Sequence, residues 1–207
     1  MIIDMAYANY NYQQKHFGKN SRSEMFIVEE TITTHGAISK STLLSAFDLH
    51  DAVYTSSEFQ ALCVTQPLPS TSCAPSSSIF LLWNNDKTLL AAQTQQEILQ
   101  TITTNLPNLP LNVFLGELEY DASEVVSSSS ALQIILSVID NLENEKQIIN
   151  FEEDFLNTCF AMQNAFSTEV ALFCQAAVSY SAESDRAIKG DQILMSFAMI
   201  LMIGYVA

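Results

Sequence analysis

Residues 131–139 constrain this chain more than any other stretch. Leu132, Ile134, Leu136 and Val138 alternate there with Gln133, Ile135, Ser137 and Ile139. Side chains of a strand point alternately to opposite faces, so the alternation lays one continuous apolar row along one face. A row of that kind has to be covered, and the next segment supplies the cover. Over 147–166, Ile148, Phe151, Phe155, Cys159, Met162 and Phe166 recur at spacings of 3, 4, 4, 3 and 4, the stripe of an amphipathic helix. Glu152, Glu153 and Asp154 fall in its early turns, where the helix dipole favours acids. EVALFCQAAVSY then reads as another strand.

The same logic extends upstream. Met25–Val28 is apolar on both faces and reads as a buried strand ending in Glu29 and Glu30. Ser39 or Ser41 offers an N-cap for a helix over about 42–54, with Leu43, Leu44, Phe47 and Tyr54 on one face. VFLGELEYD and EVVSSSSALQIILSVID flank a D-A-S turn at 121–123 and predict a hairpin. SSSIFLLWNN and TLLAAQTQQEILQTITTNL read as helical segments, the second ended by Pro107 and Pro110. The order is strand, helix, helical insertion (about 55–110), strand, strand, helix, strand. That predicts an α+β fold, a ferredoxin-like βαββαβ sandwich with two helices on one face of a mostly antiparallel four-stranded sheet.

Charge narrows the function classes. The chain has 23 acids against 8 bases, a net charge of −15, and no basic run. Such a surface repels phosphate backbones, so nucleic acid is not an expected partner. The four cysteines, Cys63, Cys73, Cys159 and Cys174, form no C-x-x-C pair and lie near no histidine pair, which argues against zinc. Cys63 and Cys73 flank the Pro-rich VTQPLPSTS. A disulfide closing a loop of that size would stabilise by roughly 3 kcal/mol and would suit an extracellular or luminal compartment. The alternative is two small buried apolar side chains. For Cys159 and Cys174 both core packing and a second disulfide are open.

Nothing in the chain reads as an enzyme or asks for a cofactor. His16, His35 and His50 are far apart, and no serine sits in G-x-S-x-G. His50 and Asp51 are expected on the solvated side of their helix. Trp83 is expected as a core or interface anchor. Glu117, Glu119, Asp121 and Glu124 cluster at the hairpin without EF-hand spacing and read as a solvated acidic turn, not a metal site.

The two ends differ from the middle. MIIDMAYANYNYQQ lacks the basic region and long apolar core of a signal peptide, so an extracytoplasmic domain would need a delivering segment upstream. Residues 1–22 read as a lead-in, 23–182 as the domain and 183–191 (Glu183, Asp185, Arg186, Lys189, Asp191) as an acidic linker. ILMSFAMILMIGYVA then runs fifteen residues without a charge. A buried C-terminal helix would keep a polar face; this run keeps almost none. Residues 192–207 are expected to begin a membrane-spanning helix, truncated short of the roughly twenty residues a bilayer needs.

Taken in order, these segments resemble the Patched, Patched-domain-containing and Niemann–Pick C family. YQQKHFGKNSRSEMFIVEE resembles the opening of that family's first extracytoplasmic domain, with Phe17, Gly18, Arg22, Glu24 and the strand Met25–Val28 in the matching places. LLSAFDLHDAVYT is similar to its first helix, and ALCVTQP…SCAPSS to its cysteine-bearing loop. LGELEYDASEVVSSSSALQIILSVIDN resembles its hairpin. FEEDFLNTCF stands where the family has an aromatic, acidic helix, with Phe151 in place of a frequent tryptophan. VSYSAESDRAIKGDQILMSFAMILMIGYV resembles the junction into the second transmembrane helix, the first of the sterol-sensing domain. The likeness is collinear over roughly 10–207.

The resemblance implies a fragment of a multi-pass membrane protein built like the resistance-nodulation-division transporters. It would be involved in sterol or other lipid transport or in ligand reception, with the domain on the extracellular or luminal side. Expected partners are the bilayer, a sterol or other lipid, and a secreted protein ligand. A different class is also compatible. Ser181 and Ala182, the polar spacer and the apolar tail fit a GPI-anchored or single-span surface domain.

Overall fold

The computed structural model describes residues 20–30, 33–65, 72–107, 111–140, 143–163, 166, 170–176 and 178. The strands are β1 (Asn20–Glu30), β2 (Leu118–Tyr120), β3 (Val126–Ser129), β4 (Ala131–Asp140) and β5 (Val170–Gln175). The α-helices are α1 (Lys40–Tyr54), α2 (Ser57–Leu62), α3 (Lys87–Ala92), α4 (Gln95–Asn105), α5 (Leu111–Phe114) and α6 (Glu145–Met162), with a 3-10 helix at Ile79–Trp83 between α2 and α3. The fold is mixed α+β with antiparallel sheets.

The alternating segment forms β4. Its burial alternates without a break: Leu132, Ile134, Leu136 and Val138 are fully buried. β4 pairs antiparallel with β1 (Phe26 opposite Ile134, Val28 opposite Leu132), and β1 pairs antiparallel with β5 (Phe26 opposite Cys174). The sheet order is therefore β4-β1-β5. β4 and β5 run the same way with β1 between them, and α6 makes the crossover. Phe151 and Phe155 of α6 and Phe47 and Leu43 of α1 close over the buried face. Each such side chain contributes about 1.5–3 kcal/mol by leaving water. α6 starts two residues earlier and ends four earlier than the 147–166 stripe; Phe166 is buried beyond its last turn.

The expected four-stranded sheet is divided. β2 pairs with β3 in a separate two-stranded ladder, and β3 runs into β4 through Ser130. Beside β4, where a full fourth strand would lie, three short pieces bond instead: Cys63 opposite Val138, Ser77 opposite Ile135 and Leu115 opposite Leu132. Ser77 and Ile135 exchange both backbone hydrogen bonds, at 2.9 and 3.0 Å. An uncovered edge strand is a template for association, and the insertion closes this one piecemeal. On the other edge, Gln163 does the same with its side chain, donating to the Val170 carbonyl and accepting from the Leu172 amide.

Local signals explain the insertion. The long segment expected as one helix breaks at Thr94, which forms a capping box with Glu97 and starts α4 anew. α4 ends at Asn105, ahead of Pro107. Asn84 and Asn85 take left-handed backbone angles (φ 53° and 54°) and stop the 3-10 helix. Gly36 has φ +56° and lies against Ser129, where a Cβ would sit 2.2 Å from the Ser129 carbonyl oxygen; only glycine fits.

Both cysteine pairs are disulfides, Cys63–Cys73 and Cys159–Cys174, with Cα separations of 5.5 and 6.5 Å. The second ties α6 to β5. Among the described residues no helix is long and apolar enough to cross a membrane. The lead-in through Lys19, the acidic linker 183–191 and the uncharged run 192–207 lie outside the described residues.

Candidate functional site

β1 begins at Asn20, opposite Asp140 at the end of β4. β5 leaves Gln175 opposite Met25 and heads the same way. The chain therefore enters and leaves the sheet at one end, on neighbouring strands. An ionic clamp closes that end. Arg22 Nε lies 3.1 Å from Asp140 Oδ1, and Nη1 donates to Glu152 Oε1 at 3.2 Å. The other Glu152 oxygen, Oε2, accepts from the Val178 amide at 2.7 Å. One fully buried carboxylate on α6 thus holds both the entering strand and the departing segment. Burial alone would lower the Arg22 pKa; the hydrogen bonds and charges of Asp140 and Glu152 outweigh it and raise it above the ordinary value. Glu24, also fully buried, sits two residues along on the same face of β1. The Arg22 and Glu24 positions belong to the R-x-E element noted in the sequence. Nothing in that short motif signalled that Glu152 would meet it.

The expectation of a solvated His50 is overturned: its relative exposure is 1 %. His50 falls on the buried stripe of α1, between Phe47 and Tyr54, and the insertion covers it there. The His50 ring stacks on Tyr54 (centroids 5.1 Å apart) and meets Phe47 and Phe80 edge-on at 5.5 and 5.6 Å. Nε2 lies 2.9 Å from Ser76 Oγ and Nδ1 lies 3.2 Å from Asp51 Oδ1. These are the partners of a Ser/His/Asp triad, but Ser76 is only 3 % exposed and lines none of the described cavities. A nucleophile must reach its substrate, and this one faces the core. Trp83 is a core residue as expected, 2 % exposed, donating to Gln93 Oε1.

The acidic hairpin is exposed at Glu119, Asp121 and Glu124. Asp121 accepts from the Ser123 and Val125 amides and so builds its own turn. Among the described residues, no three histidine, cysteine, aspartate or glutamate side chains are grouped to hold a metal. A groove of about 400 Å³ between α1 and α6 has Val53, Phe151 and Phe155 as its floor and Glu58 and Asp154 on its rim. Its floor residues are only 1–3 % exposed, so it offers little apolar surface. The second face of the sheet offers more: Met25, Ile27, Ile135 and Ile139 are half-buried, and Phe173 is 54 % exposed.

No known family model matches this chain, and no curated protein matches it.

Proposed function

We propose that this chain is the first extracytoplasmic domain of a Patched-like, sterol-sensing-domain membrane protein, with a non-catalytic part in sterol or lipid transport or in ligand reception. The observation that carries the reading is the shared end of entry and exit. A domain inserted between two membrane helices has to return to the surface it left. Strand β5 runs back antiparallel beside β1 toward the end where the chain entered, and Arg22 and Glu152 clamp the departing segment to the entering strand.

Three further features support it. Two disulfides suit an oxidising extracellular or luminal compartment. The order β4-β1-β5, with α6 crossing between parallel strands, matches three of the four strands of the ferredoxin-like plan. The half-covered sheet face around Phe173 gives a neighbouring domain of a larger parent an apolar surface to pack on. On this reading residues 183–207 carry the domain into the bilayer. The lipid or a secreted protein ligand is met by the domain's surface, and no residue here takes a catalytic role.

The gene on either side of this frame tests the proposal. An apolar span upstream of Met1 and further spans beyond Ala207 are expected. A verified full-length transcript with a signal peptide before the domain and a stop codon after Ala207 contradicts it.

A further inference from the structure

We propose that His50 is an acid-sensitive latch that holds the strap Ser76–Trp83 across the edge of the central sheet and releases it when protonated. The geometry sets the neutral state. A carboxylate only accepts, so the Asp51 contact keeps the proton on Nδ1 and leaves Nε2 to accept from the Ser76 hydroxyl. Ser76 neighbours Ser77, whose two backbone hydrogen bonds to Ile135 form the edge cover. Ser78 caps the 3-10 helix by accepting from the Phe80 amide, and Phe80 packs against the His50 ring. The imidazole therefore holds the strap at two points, Ser76 by hydrogen bond and Phe80 by ring contact, on either side of Ser77 and Ser78 in sequence.

A second proton reverses this arrangement. It binds Nε2, which then becomes a donor. The Ser76 hydroxyl must turn its own hydrogen towards Ser78 Oγ, 3.3 Å away. The new charge sits among Phe47, Tyr54 and Phe80, where solvent cannot stabilise it. The titratable groups against the ring are Asp51 and Tyr54 of α1; the strap brings none. Lys87 of α3 is paired with Asp48. Asp51 attracts the imidazolium, but its side chain is 45 % exposed and water screens it. Desolvation dominates, and His50 titrates below its ordinary 6.5. A group held neutral in the fold regains its ordinary value on unfolding. Its contribution is complete above pH 6.5 and is lost as the pH falls below that.

Amide hydrogen exchange at Ser77 and Ile135, corrected for intrinsic rates, reads the strap directly. Protection is expected to drop about tenfold or more between about pH 7.5 and about pH 5. His50→Gln keeps a polar partner for Ser76 and cannot charge, so its protection should not change with pH. Equal wild-type protection at both pH values overturns the proposal, as does the same drop in His50→Gln. Should that variant fail to fold, the wild type decides. A loss of Ser77 and Ile135 protection that tracks the NMR titration of the His50 ring supports the latch; a loss with a different midpoint, or a ring midpoint at or above 6.5, refutes it.

Discussion

Arg22→Ala is expected to destabilise the domain by about 3 kcal/mol in urea unfolding followed by circular dichroism. The substitution removes a cation between Asp140 and Glu152 while leaving both carboxylates in place. The Glu152 side chain is 0 % exposed and has no water to turn to. Truncating one partner of a buried pair costs far more than the pair's net worth, because the other charge is stranded. The lower end of the usual range applies because the Arg22 side chain is itself 24 % exposed, so water can partly follow it in. A domain of this size is stable by only about 5–15 kcal/mol, so the loss is large. Arg22→Ala combined with Glu152→Gln should recover part of it, since the stranded charge is gone. A loss under about 1 kcal/mol for Arg22→Ala, with no coupling between the two sites, would show the clamp to be an ordinary surface pair.

Reduction of both disulfides is expected to have the largest effect of all. The bridged cysteines are 10 and 15 residues apart, and each closure restricts the unfolded chain by roughly 3 kcal/mol. The loops do not overlap, so the two effects should add to roughly 6 kcal/mol, comparable with the whole stability of such a domain. Paired serine substitutions separate them. Losing Cys63–Cys73 should loosen the loop before Ser76 and leave the sheet standing. Losing Cys159–Cys174 unfastens α6 from β5, the crossover that places β5 beside β1. The thermal midpoint with and without reductant measures the sum; an unchanged midpoint would contradict it.

The framework of the fold was legible wherever one face of an element is buried and the other wet. β4 and α6 follow directly from their periods of two and 3.6, and Ser39 starts α1 as a side-chain cap should; the break at Thr94, by contrast, was not read from the sequence. The misses share one cause. Periodicity reports that a side chain is buried, not what buries it. His50 has the spacing of a buried position, three residues after Phe47 and four before Tyr54. Reading it as solvated goes by residue type, and only the fold shows that residues 76–83 bring its partners Ser76 and Phe80. The four-stranded sheet failed on the same point. Short segments at Cys63, Ser77 and Leu115 carry no strand period, because each makes only a bridge along the β4 edge. The clamp is likewise non-local: Arg22 and Glu152 are 130 residues apart, and each alone looks like a surface charge.

Asp121→Asn tests most directly whether the domain lies on the extracytoplasmic side. The substitution makes residues 121–123 read N-A-S, an acceptor for N-linked glycan. It falls in an exposed turn, and the amide oxygen can still accept from Ser123 and Val125 as the carboxylate does. Expressed from its own gene in a eukaryotic cell, the variant should migrate with an added mass that a glycosidase removes. An unshifted band, from a variant that still folds and whose cysteines are found reduced in the cell, would place the domain on the cytoplasmic side and contradict the proposed role.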